Sequence, residues 1–258
     1  QKWVSSWPPT GPGTYLFTGD QTHQVGSVSS KRPLASDNNS YPFHTAWSWD
    51  GSHLADPTHV WDAGTGKLLS QLQDPAQQHT PDQVAWSPDG KRLASADSLN
   101  MQPPVIWDAQ TGKVLFTLQV ETGELKPLWL GLAWSPDGKK LAAVGALMHL
   151  DSGADEGMIL IWNAETGKQE QLLTTGMNDY RLWTVAWSPD GRFMAVGSTG
   201  SDIFLWDMTS SQPLAKLGGH TDISDQLAWS PAGNRLASVA RDGTLQIWDL
   251  SAFTSGTE

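Results

Sequence analysis

Short runs of alternating apolar and polar residues, each ended by a turn, repeat along this chain. Val185-Ala-Trp-Ser leads into the turn Pro189-Asp-Gly191, and three further short apolar runs follow before residue 217. Alternation over a few residues is typical of β-strands, and Pro-Asp-Gly supplies the preset φ and the positive φ of a tight turn. The pattern predicts four strands per repeat and no helix of useful length.

Each repeat carries two tryptophan motifs. The first is Val84-Ala-Trp-Ser-Pro-Asp-Gly90 and its copies, and the second is Ile106-Trp107-Asp108 and its copies. The tryptophans of the first motif are Trp47, Trp86, Trp134, Trp187 and Trp229, and those of the second are Trp61, Trp107, Trp162, Trp206 and Trp248. The first-motif spacings of 39, 48, 53 and 42 residues scatter about the roughly 40–45 residues of a four-stranded propeller blade.

The N-terminal stretch predicts a degenerate first repeat. Trp7 lies 40 residues before Trp47, and strands are expected at 15–19, 24–28 and 32–36. Six units then fill a single domain over 1–258. Their approximate bounds are 1–38, 39–74, 75–120, 121–174, 175–218 and 219–258.

Together, the Trp-Ser-Pro-Asp-Gly and Trp-Asp motifs and the Thr-Gly-Lys turns resemble the WD-repeat (WD40-type) β-propeller family. The resemblance implies an all-β protein, a six-bladed β-propeller of four-stranded antiparallel blades. In this family a His, a Ser or Thr, an Asp and the Trp of one blade form a buried hydrogen-bonded set, which we call the tetrad. Only the last unit matches it fully, at His220, Ser238, Asp242 and Trp248. The Cys-free repeats also look like bacterial members, which are often parts of larger signalling chains.

The last unit is short of an outer strand. Eight residues follow Leu250, and only Gln1 and Lys2 precede Trp3. We therefore expect a last blade that is three-stranded or nearly so, with 252–255 at most a stub, unless flanking sequence has been removed. An unpaired strand edge can pair with another chain.

Composition and motifs exclude several functions. The formal charge of −11, from 16 basic and 27 acidic residues, repels nucleic acid and anionic lipid. No Cys is present, and no apolar run approaches the roughly 20 residues of a membrane helix. The sequence shows no Gly-rich phosphate loop, no Gly-x-Ser-x-Gly elbow and no helical His pair. We thus expect no catalytic residue, metal, cofactor or membrane insertion, and the compartment is not indicated.

Bulky residues interrupt the repeat where the innermost strand of a blade begins, and the family resemblance implies that this end binds partners. Trp, Tyr and Arg are enriched in binding hot spots. The candidates are Tyr41, Phe43, Trp129, Trp183, Arg181 and Arg241. The alternative for each ring is that it fills the channel or packs under a loop.

Three functional hypotheses remain open. The first is a non-enzymatic scaffold that binds a protein or peptide through these residues. The second is a structural module that self-associates, or contacts a parent chain, through the open edge of its last blade. The third is a propeller enzyme or small-ligand binder at the channel mouth.

Overall fold

The computed structural model describes residues 45–73, 81–148, 155–178 and 180–254, together with the backbone of four strands between residues 3 and 37. The chain divides into two compact units, Gln1–Gln119 and Val120–Glu258. Every described strand pairs antiparallel with its neighbours, and the sheets are built from strands consecutive in sequence. The prediction of an all-β protein with four-stranded antiparallel sheets is confirmed. The prediction of one domain over 1–258 stays a prediction.

Unit one contains three four-stranded sheets. The first consists of β1 (Trp3–Val4), β2 (Thr14–Gly19), β3 (Thr22–Ser27) and β4 (Pro33–Asp37). The second consists of β5 (Ala46–Trp47), β6 (His53–Ala55), β7 (His59–Asp62) and β8 (Leu68–Gln71). The third consists of β9 (Gln83–Trp86), β10 (Arg92–Ala96), β11 (Val105–Asp108) and β12 (Val114–Thr117).

Unit two contains two four-stranded sheets and one three-stranded sheet. The fourth sheet consists of β13 (Lys126–Trp134), β14 (Lys140–Met148), β15 (Asp155–Asn163) and β16 (Gln169–Asn178). The fifth consists of β17 (Leu182–Trp187), β18 (Phe193–Ser198), β19 (Ile203–Asp207) and β20 (Gln212–Leu217). The last consists of β21 (Ser224–Trp229), β22 (Arg235–Ala240) and β23 (Leu245–Asp249), and it is followed by the helical turn α1 (Ser251–Thr254).

The Ser-Pro-Asp-Gly segments close the turn between the first two strands of a sheet. In the fourth sheet the Ser135 hydroxyl donates to Asp137 Oδ1 at 2.6 Å, and the backbone N–H of Lys139 donates to the same oxygen at 3.0 Å. These bonds, the one from Ser135 first, hold the pKa of Asp137 below its usual value. Gly138 has a φ of 68°, which favours glycine. The segment that recurs in sequence is therefore a self-contained turn.

Three first-motif tryptophans each join their sheet to the preceding one within a unit. The indole Nε1 of Trp187 donates to the Ala133 carbonyl at 3.2 Å, and that of Trp229 donates to the Ala186 carbonyl at 3.1 Å. Trp86 does the same with Ala46 at 3.0 Å in the other unit. These tryptophans thus pack the sheets and also fix their spacing through a partly buried hydrogen bond.

Two apolar clusters hold the three sheets of the second unit together. One packs the fourth sheet against the fifth and includes Val144, Ile159, Ile161, Met194, Val196 and Trp206. The other packs the fifth sheet against the last and includes Phe193, Ile203, Leu205, Leu236 and Leu250. The fifth sheet thus buries both faces, as its near-continuous apolar strands require.

The last sheet ends in a helical turn where the other five sheets have a fourth strand. Asp249 accepts hydrogen bonds from the backbone N–H and hydroxyl of Ser251, at 3.0 and 2.5 Å. Leu250 is buried and Phe253 packs against the same core. The stub expected at 252–255 is therefore α1 over its described residues, because an N-cap and an apolar anchor favour a helical turn there.

Candidate interaction surface

The second unit brings several candidate residues to one end of its sheets, which we call the entrance end because the first strand of each sheet begins there. Arg181 directly precedes β17, Trp183 lies in β17, and Arg241 directly follows β22. Both arginine side chains are nearly half exposed. Three of the candidate residues predicted from the sequence therefore lie at this end, on the fifth and last sheets.

Arg241 stacks on Trp183. The guanidinium carbon lies 4.7 Å from the centroid of the indole ring. Arg241 Nε donates to Asp225 Oδ1 at 2.9 Å, and the backbone N–H of Arg241 donates to the Ile223 carbonyl at 3.0 Å. A cation over an aromatic face is stabilised by the ring quadrupole, and the carboxylate fixes the orientation of the guanidinium.

Sequence reasoning missed Asp225, although a signal was present. Asp225 lies four residues before Trp229, as Trp183 lies four residues before Trp187. Equivalent positions in adjacent sheets thus supply the ring and the carboxylate that hold Arg241. We define the Arg241 stack as Trp183, Arg241 and Asp225.

Arg181 is anchored separately. Its Nε and Nη2 atoms lie 2.7 and 2.5 Å from Asp155 Oδ2. Its backbone exchanges hydrogen bonds with Thr199, whose N–H donates to the Arg181 carbonyl at 2.9 Å and whose hydroxyl accepts from the Arg181 N–H at 3.2 Å. Arg181 is therefore held in one orientation at the entrance end, and the sequence did not predict Asp155 as its partner.

The assignment of Trp129 to the binding surface is wrong. Its side chain is 0% exposed, and its ring packs against that of Trp162 with 5.8 Å between centroids. The cause is the length of β13, which begins at Lys126 and so places Trp129 inside the sheet. It lies opposite Gly145, where a β-carbon would stand 1.7 Å from the Leu128 carbonyl oxygen. Trp129 is a core residue.

Two other predicted residues, Tyr41 and Phe43, lie outside the described residues. Their membership of the surface stays a prediction.

The four tetrad residues of the last sheet form one hydrogen-bonded chain. His220 Nε2 lies 2.7 Å from Ser238 Oγ, and His220 Nδ1 lies 3.1 Å from Asp242 Oδ2. Trp248 Nε1 donates to Ser238 Oγ at 2.9 Å. Bonds from the Thr244 hydroxyl and then from the Thr221 N–H hold the pKa of Asp242 far below its usual value. The turn between β22 and β23, which begins with Arg241, is thereby fixed.

Ser238, His220 and Asp242 are connected like the catalytic triad of a hydrolase, but a substrate could not reach the serine. Ser238 and His220 are 1% and 5% exposed. Ser238 Oγ also accepts the indole N–H of Trp248, which occupies a lone pair that a nucleophile would use. This arrangement stabilises the sheet and positions the loop of Arg241.

The fifth sheet carries no such chain around its own tryptophan. Trp206 Nε1 is buried and makes no hydrogen bond in the described structure. Val196 occupies the register position that Ser238 occupies in the last sheet, since Met194 pairs with Trp206 as Leu236 pairs with Trp248. Apolar packing alone therefore holds Trp206.

The described ranges contain no group of three His, Asp or Glu side chains that could hold a metal ion. They also contain no helix long and apolar enough to cross a membrane.

Comparison with known proteins supports the WD-repeat assignment. The family model "WD domain, G-beta repeat" matches residues 169–207 and 211–249. Each match begins with the outer strand of one sheet and ends with the Trp-Asp motif of the next. The family repeat is therefore one strand out of phase with the sheets.

Curated relatives match over short segments. A cell division cycle 20.1 protein of Arabidopsis thaliana, described as a cofactor of the APC complex, is 37% identical over 71 residues, which are 27% of this chain and 16% of that protein. The anaphase-promoting complex subunit cdc20 of Dictyostelium discoideum is 31% identical over 62 residues, which are 24% and 12% of the two chains. The matches thus span less than a fifth of each relative. Both relatives are eukaryotic, so they give no support to the expectation of a bacterial member.

A chain in the crystal structure of a mitotic checkpoint complex resembles this one throughout its fold. The TM-score is 0.73 at 21% sequence identity, and the alignment covers 96% of this chain and 78% of that chain. At this identity the likeness shows the fold alone. The antiparallel sheets are those of a WD40-like propeller.

Proposed function

We propose that this protein is a non-enzymatic scaffold that binds a protein or peptide at the entrance end of its sheets. The observation that carries the proposal is the Arg241 stack, a guanidinium held over an indole ring by a carboxylate. Such a group is a pre-ordered anchor, because little side-chain entropy remains to be lost on binding. Arg181, fixed by Asp155, extends the surface, and Tyr41 and Phe43 belong to it by sequence position.

The relatives add support of a general kind. Two are described as a cofactor or a subunit of the anaphase-promoting complex, and the structural neighbour belongs to a mitotic checkpoint complex. These proteins act within protein assemblies. We extend only that general role to this chain, and infer no nucleic acid, cofactor or metal as its partner.

Comparative affinity capture tests the proposal. The wild-type chain and a Trp183→Ala/Arg241→Ala variant are immobilised, and captured proteins are quantified by mass spectrometry. We expect species that the wild type enriches to fall at least tenfold in the variant. Equal capture by both would contradict the proposed surface.

A control uses an exposed tryptophan. Trp49, in the turn after β5, is 60% exposed, whereas Trp183 is only partly exposed. Trp49→Ala removes a more accessible indole from the opposite end of a sheet, so it should leave capture unchanged. Circular dichroism and thermal unfolding of all three proteins separate lost binding from lost folding.

We also infer that the sheets are the blades of a six-bladed propeller that is left open at its last blade. The first-motif spacings support the count of six repeats. The exposed apolar residues of the last sheet, among them Leu245 and Ile247, support an open end. A small-angle scattering profile of a six-bladed disc is the expected result, and a profile of two separated bodies would contradict the inference.

The three-stranded sheet favours a second candidate function, a structural module that joins another copy of the chain. In the second, third and fourth sheets, the N–H of Asp62, Asp108 or Asn163 donates to a lysine carbonyl of the following turn at 2.9 Å. The corresponding residue Asp249 borders an edge of β23 that pairs with no described strand. Sedimentation velocity from low to high protein concentration tests this candidate. A monomer throughout would eliminate it.

A further inference from the structure

A groove of about 400 Å³ lies at the opposite end of the second unit, between the turns of the fourth and fifth sheets. Trp187 and Met208 line it with apolar surface, and Pro136 and Pro189 come from the two turns. The turns pack closely, since a β-carbon on Gly191 would lie 3.8 Å from Pro136 Cδ. The groove is therefore a recess between two rigid turns.

Its aromatic wall is held in place. Trp187 Nε1 donates to the Ala133 carbonyl at 3.2 Å, and Trp187 belongs to the rim of the apolar cluster between the fourth and fifth sheets. The indole therefore offers a ring whose position is set before any ligand arrives. A fixed indole is the best side chain for binding a cation through its face.

Two carboxylates line the same groove. Asp137 and Asp190 each accept a serine hydroxyl, at 2.6 and 2.5 Å, and a backbone N–H at 3.0 Å, and these described hydrogen bonds use only Oδ1. Both residues are exposed. The second oxygen of each carboxylate therefore remains available to a ligand.

Two of the cations beside the groove each have another carboxylate as a partner. Lys140 Nζ, which lines the groove, lies 3.3 Å from Glu170 Oε2. Arg192, directly after the second turn, lies 3.8 Å from Asp207 Oδ2. Lys139, directly after the first turn, places one further positive charge near Asp137. The two carboxylates are thus only partly balanced, on a chain whose formal charge is −11.

We propose that this groove binds an arginine side chain of a basic peptide. The guanidinium would lie against the Trp187 ring and donate to Asp137 and Asp190. A planar, delocalised cation fits such a site better than an ammonium group, because it stacks on an indole and presents several N–H donors at once. The site differs in chemistry from the Arg241 stack, which offers a cation.

Titration of the wild-type protein with a capped Gly-Arg-Gly-Arg-Gly peptide tests the proposal without any substitution. We expect saturable binding and a shift of the Trp187 indole N–H resonance. The capped lysine counterpart should bind several-fold more weakly, and the glutamate counterpart should not bind. An unmoved Trp187 resonance, or equal affinity for the arginine and lysine peptides, would overturn the proposal.

Matched variants separate this site from the general attraction of a basic peptide to an acidic protein. Asp137→Asn/Asp190→Asn keeps an Oδ1 acceptor for each turn but removes both charges, and should weaken binding at least tenfold. Asp89→Asn makes the same change in the equivalent turn of the third sheet and should change affinity less than twofold. An equal loss in both variants would show non-specific attraction and would overturn the proposal.

Discussion

The fifth and last sheets carry the same motifs but bury them differently. In the fifth sheet Ile203 and Leu205, in β19, are 0% exposed. Leu245 and Ile247 hold the same positions relative to the tryptophan of β23, yet they are 63% and 66% exposed. The motif thus specifies the fold of a sheet, whereas burial of its second face depends on a neighbour.

The two sheets also differ in the hydrogen bonding of their Trp-Asp tryptophans, and here the last sheet has more contacts than the fifth. Trp248 donates to Ser238 within the tetrad, whereas Trp206 has no described hydrogen-bond partner. The sheet with the smaller apolar contact area thus has the fuller hydrogen-bond network. We infer that the network compensates for one uncovered face, since a buried polar group contributes to stability only when it is paired.

The largest difference in stability between the two sheets is expected when equivalent apolar residues are replaced by alanine. Leu205→Ala should lower the free energy of unfolding by about 2–5 kcal/mol, because it leaves a cavity in a closed core. Ile247→Ala should cost less than about 1 kcal/mol, because the side chain is mostly exposed. Chemical denaturation of both variants measures the contrast. Equal losses would show that the face of Ile247 is covered in solution.

The next effect concerns the tetrad. Ser238→Ala removes the hydroxyl shared by His220 and Trp248, so the buried His220 Nε2 and the partly buried Trp248 Nε1 lose that partner. The expected loss is roughly 2–4 kcal/mol, because an unsatisfied buried group costs about 1–3 kcal/mol and the partly buried indole less. Ser238→Thr is the control, since it keeps the hydroxyl. A loss below about 0.5 kcal/mol for the alanine variant is the size expected of a surface substitution. Such a result would show that the tetrad does not stabilise the protein.

A smaller effect is expected from the turn of the last sheet, where Ala232 replaces the usual aspartate. Ser230 Oγ there contacts Asn234 Oδ1 at 3.2 Å. Ala232→Asp should stabilise the protein by about 0.5–1.5 kcal/mol at pH 7 by restoring a hydrogen-bonded carboxylate.

This gain should depend on pH. The Ser48 hydroxyl, followed by Ser52, lowers the pKa of Asp50 in the equivalent turn of the second sheet to about 2. A carboxyl whose pKa is lowered by folding stabilises fully above its unfolded pKa, and that stabilisation is lost as the pH falls through the folded value. The difference between Ala232→Asp and wild type should therefore shrink from about pH 4 downward. A gain that grows on acidification would contradict this reasoning.

The smallest change in the free energy of unfolding is expected for a substitution beside Trp206 in the fifth sheet. Val196→Thr places a hydroxyl at the register position of Ser238, where Trp206 Nε1 can donate to it. The new hydrogen bond should nearly offset the cost of burying the hydroxyl. The free energy of unfolding should then change by about 0.5 kcal/mol or less. Val144→Thr, in the same apolar cluster, is the control and should cost about 1–3 kcal/mol. Equal costs would mean that Trp206 gains no partner.

Local motifs predicted the sheets well, because each motif closes through its own bonds. The Ser135–Asp137 turn and the strand before it can be recognised from a few adjacent residues. Asp242 and its tetrad partners followed from the family resemblance. These features need no knowledge of how the sheets are arranged.

Residues that depend on longer-range context were harder to predict. Trp129 looked like an entrance residue because the repeat gives no sign that β13 extends by several residues. Asp225 and Asp155 were missed as the partners of Arg241 and Arg181, because they come from neighbouring strands. The Trp187 groove likewise depends on the packing of two turns that lie 53 residues apart in sequence.

We propose that the Arg241 stack binds a protein partner as a unit. A calorimetric double-mutant cycle tests this proposal, with Trp183→Ala, Arg241→Ala and the double variant titrated with a partner captured by the wild-type protein. Each single variant should lose at least tenfold in affinity, and the double variant should lose little more than either. Unchanged affinity in both single variants, with folding intact, would show that the stack does not bind the partner.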